Sequence, residues 1–437
     1  MAVSETALIW PGVLVIVTVG LWATAVLPEY LVALLFFAAA TITRVVPPDV
    51  VFSGFGSAAF WLILSGFVLG TAIRTVGLAD RVAGVLVSHL SGSWPRMVGG
   101  TVALTYALAF VMPSNMGRIA LLMPVVMAMA GRAGLNDGEE GGRRGRTGLA
   151  LAVGFGTFQL SASILPANVP NLIMAGAAEA TYGVRFTYLP YLVLHAPVLG
   201  ILKGVVLTAA IVALFPARPT PVPPAASPGP ISPAEKRLAI LLLITLGLWI
   251  TDSLHGVSPA WVGLAAACVC LLPRIGFLSG EQFAAGVNLR TCLFIAGILG
   301  LVATVTRTGL GAWLGAAVLP LLPLEAGHPA GNFAAMAGLV LALNFVVTAN
   351  GVPALYTPLA SGLAGVAGWP LLTVLMVQVV GYSTPLLPYQ SSPIVVAMGM
   401  GHVAARDGVR LCLAVAVATA LVLAPLDYLW FRVLGYF

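Results

Sequence analysis

Charge is what this chain has least of. Of its 437 residues, 8% are charged, against roughly 25% in an ordinary soluble domain. Polar, low-complexity tracts are missing too, because the 49 glycines and 31 prolines sit within apolar runs. A single aqueous core stops growing at about 250–300 residues, and no soluble fold could hide a chain that is 60% hydrophobic. These absences exclude a soluble enzyme, a nucleic-acid binder and a secreted disulfide scaffold. The net charge of +6 is no nucleic-acid footprint, since the arginines lie in short loops between apolar segments. Cys268, Cys270, Cys292 and Cys412 all fall in apolar segments and read as small buried side chains. The start, Met1-Ala2-Val3-Ser4-Glu5, has no basic region and no cleavage site. Residues 7–27 are therefore expected as a retained span rather than a signal peptide.

Catalytic signatures are missing as well. There is no paired acidic motif, no His-Glu-x-x-His and no glycine-rich loop ending in Lys-Ser/Thr. No enzyme is expected. The sequence has instead a series of apolar segments near the 20 or so residues that a spanning helix needs. They lie near 7–27, 29–47, 56–76, 148–180, 188–215, 238–254, 257–273, 291–308, 369–400 and 409–433. Two further stretches, 97–130 and 333–367, are split by polar breaks at Pro113-Ser114-Asn115-Met116-Gly117 and Thr348-Ala349-Asn350-Gly351. Their halves are too short to span and read as re-entrant hairpins. Non-helical backbone at membrane depth is tolerated only where protein or a watery cavity covers it. The expected fold is all-α and polytopic.

The two sides of the proline-rich stretch 216–233 look alike. Gly20-Leu21-Trp22-Ala23-Thr24 recurs as Gly247-Leu248-Trp249-Ile250-Thr251, and Arg74-Thr75-Val76-Gly77-Leu78 as Arg307-Thr308-Gly309-Leu310. Ser114 precedes Pro124 by the same interval as Thr348 precedes Pro358. Asn168-Val169-Pro170-Asn171 and Gln390-Ser391-Ser392-Pro393 each interrupt a long apolar run. With five spans and one hairpin per half, the second half enters the membrane inverted. Inverted repeats with paired broken helices point to a secondary transporter. Half-helix N-termini suit an anionic substrate, and unwound carbonyls and hydroxyls suit a small cation.

Several of these residues carry a family resemblance. Asp252-Ser253-Leu254-His255-Gly256-Val257-Ser258-Pro259-Ala260-Trp261-Val262 resembles the first loop of the second repeat in divalent-anion/sodium symporters, the DASS family. Pro113-Ser114-Asn115-Met116 resembles that family's Ser-Asn-Thr hairpin signature. Val169-Pro170-Asn171-Leu172-Ile173 resembles the end of its Gly-Thr-Pro-Pro-Asn motif. The resemblance covers nearly the whole chain and implies a homodimeric elevator carrying di- or tricarboxylates or sulfate with sodium. Residues 1–96 and 238–330 would be scaffold. Residues 97–215 (hairpin 97–130, broken helix 148–180) and 331–437 (hairpin 333–367, broken helix 369–400) would be the moving part, joined by a cytoplasmic linker, 216–237. It further implies a substrate site of Ser114, Asn115, Met116, Arg118, Thr348, Asn350, Ser391, Ser392 and Pro393. A sodium site would be made by Ser114, Asn115, Ala167 and Asn168. The implied partners are a small anion, Na+ or H+ as coupling ion, and the bilayer; no cofactor beyond Na+ is implied, and no nucleic acid.

The departures from the family pattern bear on coupling. Ala349 and Ile394 stand where the family has asparagines of its second motifs, Met116 replaces a threonine, and Arg118 replaces a small residue. A charge near the bilayer centre costs roughly 2.5–3.5 kcal/mol on insertion scales and is functional by default. Arg118 is expected either to supply positive charge in place of sodium and grip the anion with its fork, or to turn onto carbonyls or onto Glu179 as a structural tie. The polar pairs at the breaks have plainer readings as helix caps or back-bonded hydroxyls. Glu179, His195 and Lys203 read as interfacial or snorkelling groups, and Asp252 and His255 as solvated loop residues. Trp22, Trp249, Trp261 and Trp430 read as an interfacial belt. A passive anion facilitator and a transporter-like receptor remain as alternatives.

Orientation follows from the basic residues. Placing loop 131–147 and the linker in the cytoplasm puts fourteen lysines and arginines inside and only Arg44, Arg185, Arg307 and Arg432 outside. The expected location is the inner (plasma) membrane with both termini extracytoplasmic. Cysteine placed at Asn136 should react with a membrane-impermeant thiol reagent from the cytoplasmic side alone. Labelling from outside would invert the topology.

Overall fold

The structure is a computed structural model, and it describes residues 5–24, 26–78, 81, 93–136, 140–220 and 230–437. The reading of Met1–Ser4, residues 137–139 of the basic loop and residues 221–229 of the linker lie outside the described residues. Every regular element among the described residues is helical. Seventeen principal helices run in order: α1 (Glu5–Thr24), α2 (Glu29–Ile42), α3 (Ala58–Val76), α4 (Trp94–Ala109), α5 (Asn115–Arg132), α6 (Glu140–Phe155), α7 (Val169–Tyr182), α8 (Tyr188–Leu214), α9 (Pro233–Ile250), α10 (Pro259–Leu271), α11 (Leu289–Thr308), α12 (Leu310–Val318), α13 (Pro329–Val346), α14 (Val352–Ala367), α15 (Leu371–Tyr382), α16 (Ser392–Met400) and α17 (Ala405–Val433).

Local chemistry explains where these helices begin and end. The Ser57 hydroxyl accepts from the Phe60 N–H at the start of α3, and the Asn288 side chain accepts from the Thr291 N–H at the start of α11. Both helices end on a left-handed glycine, Gly77 (φ 83°) and Gly309 (φ 79°), a conformation that costs a residue without Cβ nothing. The repeated Arg-Thr-(Val)-Gly-Leu of the sequence is thus one helix stop used twice.

Four helices, α3, α8, α11 and α17, are individually long and apolar enough to cross a bilayer. The expected ten spans are not met by length alone: among the described residues α2, α10 and the apolar stretch Leu8–Trp22 of α1 are shorter, and α9 begins with the charged Glu235, Lys236 and Arg237. Two crossings are built from half-helices: α6, extended by a π-helical turn to Leu160, with α7, and α15 with α16. α4 with α5 and α13 with α14 form the two hairpins. The first hairpin's break lies at 110–114 rather than 113–117, because Ser114 caps α5 by accepting from the Gly117 N–H at 3.1 Å, so that Asn115, Met116 and Gly117 are already helical. The second break, 347–351, falls where expected. α12 was not anticipated; it follows Gly309 directly.

Small residues set the packing. α2 lies along α11 and α3 along α10. At Gly297 of α11 an added Cβ would come within 2.5 Å of the Ala33 Cβ, which is the close approach that small residues permit between helices in lipid. Exposed apolar side chains such as Val205, Leu243 and Leu421 form the outer surface, as expected where lipid is the solvent. The interior falls into two apolar clusters. One centres on α1, α2, the start of α3 and α11. The other centres on the hairpins, α6, α15 and α16.

Several side chains lie elsewhere than expected. Trp22 and Trp249 are buried, not interfacial: their indole N–H groups donate to the Glu29 and Pro259 carbonyls at 3.1 and 3.0 Å. Asp252 is buried, accepting from the Tyr188 N–H at 2.7 Å. His195 is buried beside Tyr191 and Phe431. Lys203 does not snorkel. Its ammonium donates to the Ser383 carbonyl (2.8 Å), the Ser383 hydroxyl (3.0 Å) and the Thr384 hydroxyl (2.8 Å). Each group has found a partner or ring contact inside the protein that the loop positions did not reveal.

At the entrance to α9, Glu235 joins a capping box with Ser232 and pairs with Arg81 through two hydrogen bonds, 2.6 and 3.1 Å. The Arg81 guanidinium, helped by the Ser232 N–H, pulls the Glu235 carboxyl down from 4.5 to about 2. A depressed carboxyl stabilises the fold above its unfolded value and loses that effect as pH falls through the folded one. Glu235→Gln should therefore unfold at lower temperature than wild type near neutrality. The gap should close as pH is lowered from about 4.5 toward about 2, followed by thermal unfolding in detergent; a gap independent of pH would remove this pair from the stability of the fold.

Candidate functional site

Both hairpin tips and both broken helices meet at one small cavity. Ser114, Asn115 and Met116 reach it from the first hairpin, and Asn168 and Val169 from the first broken helix. Asn350 comes from the second hairpin, and Ser392 and Pro393 from the second broken helix. Glu29 of α2 and Thr291 and Phe294 of α11 close the opposite wall. Chain reversals far apart in sequence are thus brought to one place. The first turns of α5, α7 and α16 face the cavity, each presenting the positive end of a helix dipole, equivalent to about half a charge. No lysine, arginine or histidine lines it, and Glu29 is its one ionisable lining residue among the described residues.

Other expected site residues lie just behind. Thr348 lines a narrower adjoining recess with Trp22, Glu29 and Phe294. The Ala349 N–H donates to the Gln390 carbonyl at 2.8 Å, tying the second tip to the second break. Ser391 is buried and its hydroxyl has no partner among the described residues. The Gln390 side chain accepts from the Leu386 and Leu387 N–H groups at 2.6 and 3.1 Å, so an uncharged residue shapes this break from inside.

Arg118 takes the second of its two expected roles, the tie onto carbonyls. Its side chain is fully buried and does not line the cavity. One terminal nitrogen donates to the Met112 carbonyl; the other donates to the Asn115 side-chain oxygen and to the carbonyls of Thr157 (3.1 Å) and Ala167 (3.2 Å). Direct gripping of an anion by this fork is therefore replaced by a tie among main-chain carbonyls. Glu179 is not its partner, since it pairs with Arg185 at 2.7 Å. The reason lies in the break. Residues between Leu160 and Asn168 leave carbonyls without helical partners, and buried acceptors need donors.

The oxygens expected to hold sodium are the ones so engaged. The Ala167 carbonyl and Asn115 Oδ1 face the guanidinium. Asn168 Oδ1 accepts from Asn115 Nδ2 at 2.9 Å while Asn168 Nδ2 donates to the Phe158 carbonyl at 2.9 Å. Ser114 caps its own helix. Behind them, Asn171 Nδ2 donates to the Ala162 and Ile164 carbonyls at 3.1 and 2.9 Å, and its oxygen accepts from the Tyr382 hydroxyl at 2.8 Å. The two broken helices are thereby joined.

Glu29, Thr291 and Phe294 are among the lining residues that the sequence reading missed. Glu29 had one signal: a carboxylate directly after Leu27-Pro28, between two apolar segments.

Comparison with known proteins bears on the whole chain. The family model described as the sodium:sulfate symporter transmembrane region matches residues 2–437. A "Membrane protein" of Cupriavidus necator is 28% identical over 272 residues, which is 60% of this chain and about half (52%) of that protein. "Dicarboxylate transporter 2.2, chloroplastic" of Arabidopsis thaliana is 23% identical over 432 residues, 91% of this chain and 74% of that one. Among solved structures, the YdaH transporter of Alcanivorax borkumensis shares the fold, with a TM-score of 0.57 at 14% identity over 92% of this chain and 89% of that one.

Removing the Arg118 side chain strands buried carbonyls that cost about 1–3 kcal/mol apiece. Arg118→Ala should lower stability by about 3 kcal/mol or more, and Arg118→Lys should recover part of it through a single ammonium. Unfolding of purified protein in detergent measures this. An alanine variant as stable as wild type would show that the guanidinium does not hold the break.

Proposed function

The chain belongs to the sodium:sulfate symporter family, and from that membership we propose that it is a secondary active transporter of small di- or multivalent anions, dicarboxylates first among them. One observation carries this reading: the cavity where two hairpin tips and two broken helices meet, lined by helix N-termini, hydroxyls and amides. Such a lining complements a multivalent oxyanion without requiring a formal cation. The name of the Arabidopsis relative supports a dicarboxylate among the candidate anions. The proposal extends to the movement. The hairpins and broken helices, with α8 and α17, slide as an elevator past a scaffold of α1 to α3 and α9 to α11, in a homodimer with both termini outside.

Coupling has two readings, a cation-driven symport and a sodium-independent exchange. The engagement of Arg118 favours the second at the first-repeat site. A guanidinium among the Thr157, Ala167 and Asn115 oxygens supplies there the positive charge that an ion would bring. It also repels a cation lodged nearby.

Two measurements test these readings. Uptake of labelled succinate or sulfate into proteoliposomes tests transport, and Asn350→Ala should lower apparent affinity roughly tenfold, the worth of about one good hydrogen bond, with unfolding temperature unchanged. Asn350 is the cleaner probe of the pair Asn115 and Asn350, because Asn115 also anchors Arg118. Wild-type uptake in the Asn350 variant would move the site elsewhere. Replacing sodium by choline should change neither wild-type stability nor uptake appreciably, whereas steep, sigmoidal sodium dependence would restore ordinary sodium symport.

A further inference from the structure

The cavity's one ionisable lining residue has the same sign of charge as the proposed cargo. Glu29 opens α2 and lines both the cavity and the adjoining recess. Its main-chain carbonyl accepts from Trp22 Nε1 at 3.1 Å, but its carboxyl group makes no hydrogen bond or ion pair with the described residues. Phe294, Ile298 and Leu301 stand around the recess, with Thr348 as its hydroxyl.

No charged group of a neighbouring element among the described residues pairs with Glu29. α1 carries no ionisable side chain between Leu8 and Trp22. On α11, the Arg290 guanidinium sits over the Tyr30 ring at 5.5 Å from its centre, and Arg307 lies in the last turn. Asp49 and Arg44 lie beyond the other end of α2. The hairpin tips present Ser114, Asn115, Thr348 and Asn350, all uncharged. Arg118 is engaged with carbonyls behind the cavity. Lys203, His195 and Asp427 are buried and do not line either space.

A carboxylate and a multivalent anion cannot share so small and apolar a space in their charged forms. Two like charges in one site raise the proton affinity of the weaker acid, as two carboxylates in one site do. We propose that Glu29 is a proton-binding site coupled to the cargo: its carboxylate takes up one proton as the anion binds and releases it when the anion leaves. The inference rests on the cavity being the anion site. A proton fits better than a sodium ion here, because sodium needs several oxygens around it and the recess offers mainly hydrocarbon. By linkage, anion binding raises the Glu29 pKa, and a proton that favours the anion must be favoured by it equally. Affinity is then highest with Glu29 protonated, and falls by up to tenfold per pH unit above its titration in the empty protein.

Isothermal titration of the purified protein with succinate, and separately with sulfate, tests this in sodium-free choline buffers from about pH 6.5 upward, where both probes are essentially dianions. Two buffers of different ionisation enthalpy at each pH give the proton count. The wild type should take up close to one proton per anion over part of this range, with affinity falling as pH rises. Glu29→Gln should bind with no pH slope and no proton uptake, and Glu29→Asp should keep both. A flat wild-type profile without proton uptake overturns the proposal, as does a Glu29→Gln protein that keeps the slope. A slope that appears only when sodium is added assigns the carboxylate to a metal ion and overturns it too. Should Glu29→Gln fail to fold, the wild-type proton count and the Glu29→Asp slope still decide. Binding without a proton overturns this inference alone; no binding of either anion at any pH, with or without sodium, overturns the anion reading on which it rests.

Discussion

Backbone that stops being helical inside a bilayer must satisfy its N–H and C=O groups within the protein, since lipid offers none. Most of this structure answers that requirement. The first broken helix exposes carbonyls from Thr157 to Ala167, and Arg118, Asn115, Asn168 and Asn171 supply the donors. At the second break, Lys203 takes the Ser383 carbonyl just past α15, while Gln390 folds back onto the Leu386 and Leu387 N–H groups. Two buried cations thus do structural duty in a chain with very few charges. Neither has a carboxylate of the described residues within ion-pair distance, and carbonyl dipoles and hydroxyls hold them instead.

That arrangement sets the electrostatics of the cavity. With the guanidinium and the ammonium committed to the backbone, the space between the tips is left with helix ends, amides, hydroxyls and one carboxyl group. An anion there sees partial positive charges fixed in direction, which need no reorganisation on binding. On the proposed reading its charge meets dipoles and the Glu29 carboxyl first, with the Arg118 guanidinium held behind them. The same residues that close the breaks therefore decide what can bind and under what conditions.

Much of this was legible in the sequence. Apolar length, the polar interruptions and their repetition place the hairpins and the broken helices, because each depends on local composition. What escaped was direction and partnership. Nothing local says that Arg118 turns backward onto carbonyls instead of forward into a cavity, or that Lys203 reaches across to Ser383, far along the chain. Trp22, Trp249 and Asp252 stand at segment ends, where exposure is the ordinary expectation, yet neighbouring helices cover them. Glu29 was hidden by its setting: a charge beside Pro28 looks like a loop residue until α2 proves short enough to begin within the protein.

The π-helical turns of α8 and α17 bear on how alike the two halves are. The turn in α8 begins at Ala196 and that in α17 at Thr419, the same number of residues past Asn168 as past Ser391, the caps of the two second half-helices. Each is a local widening of its helix, so the two halves share an irregularity of backbone that no likeness of side chains announces.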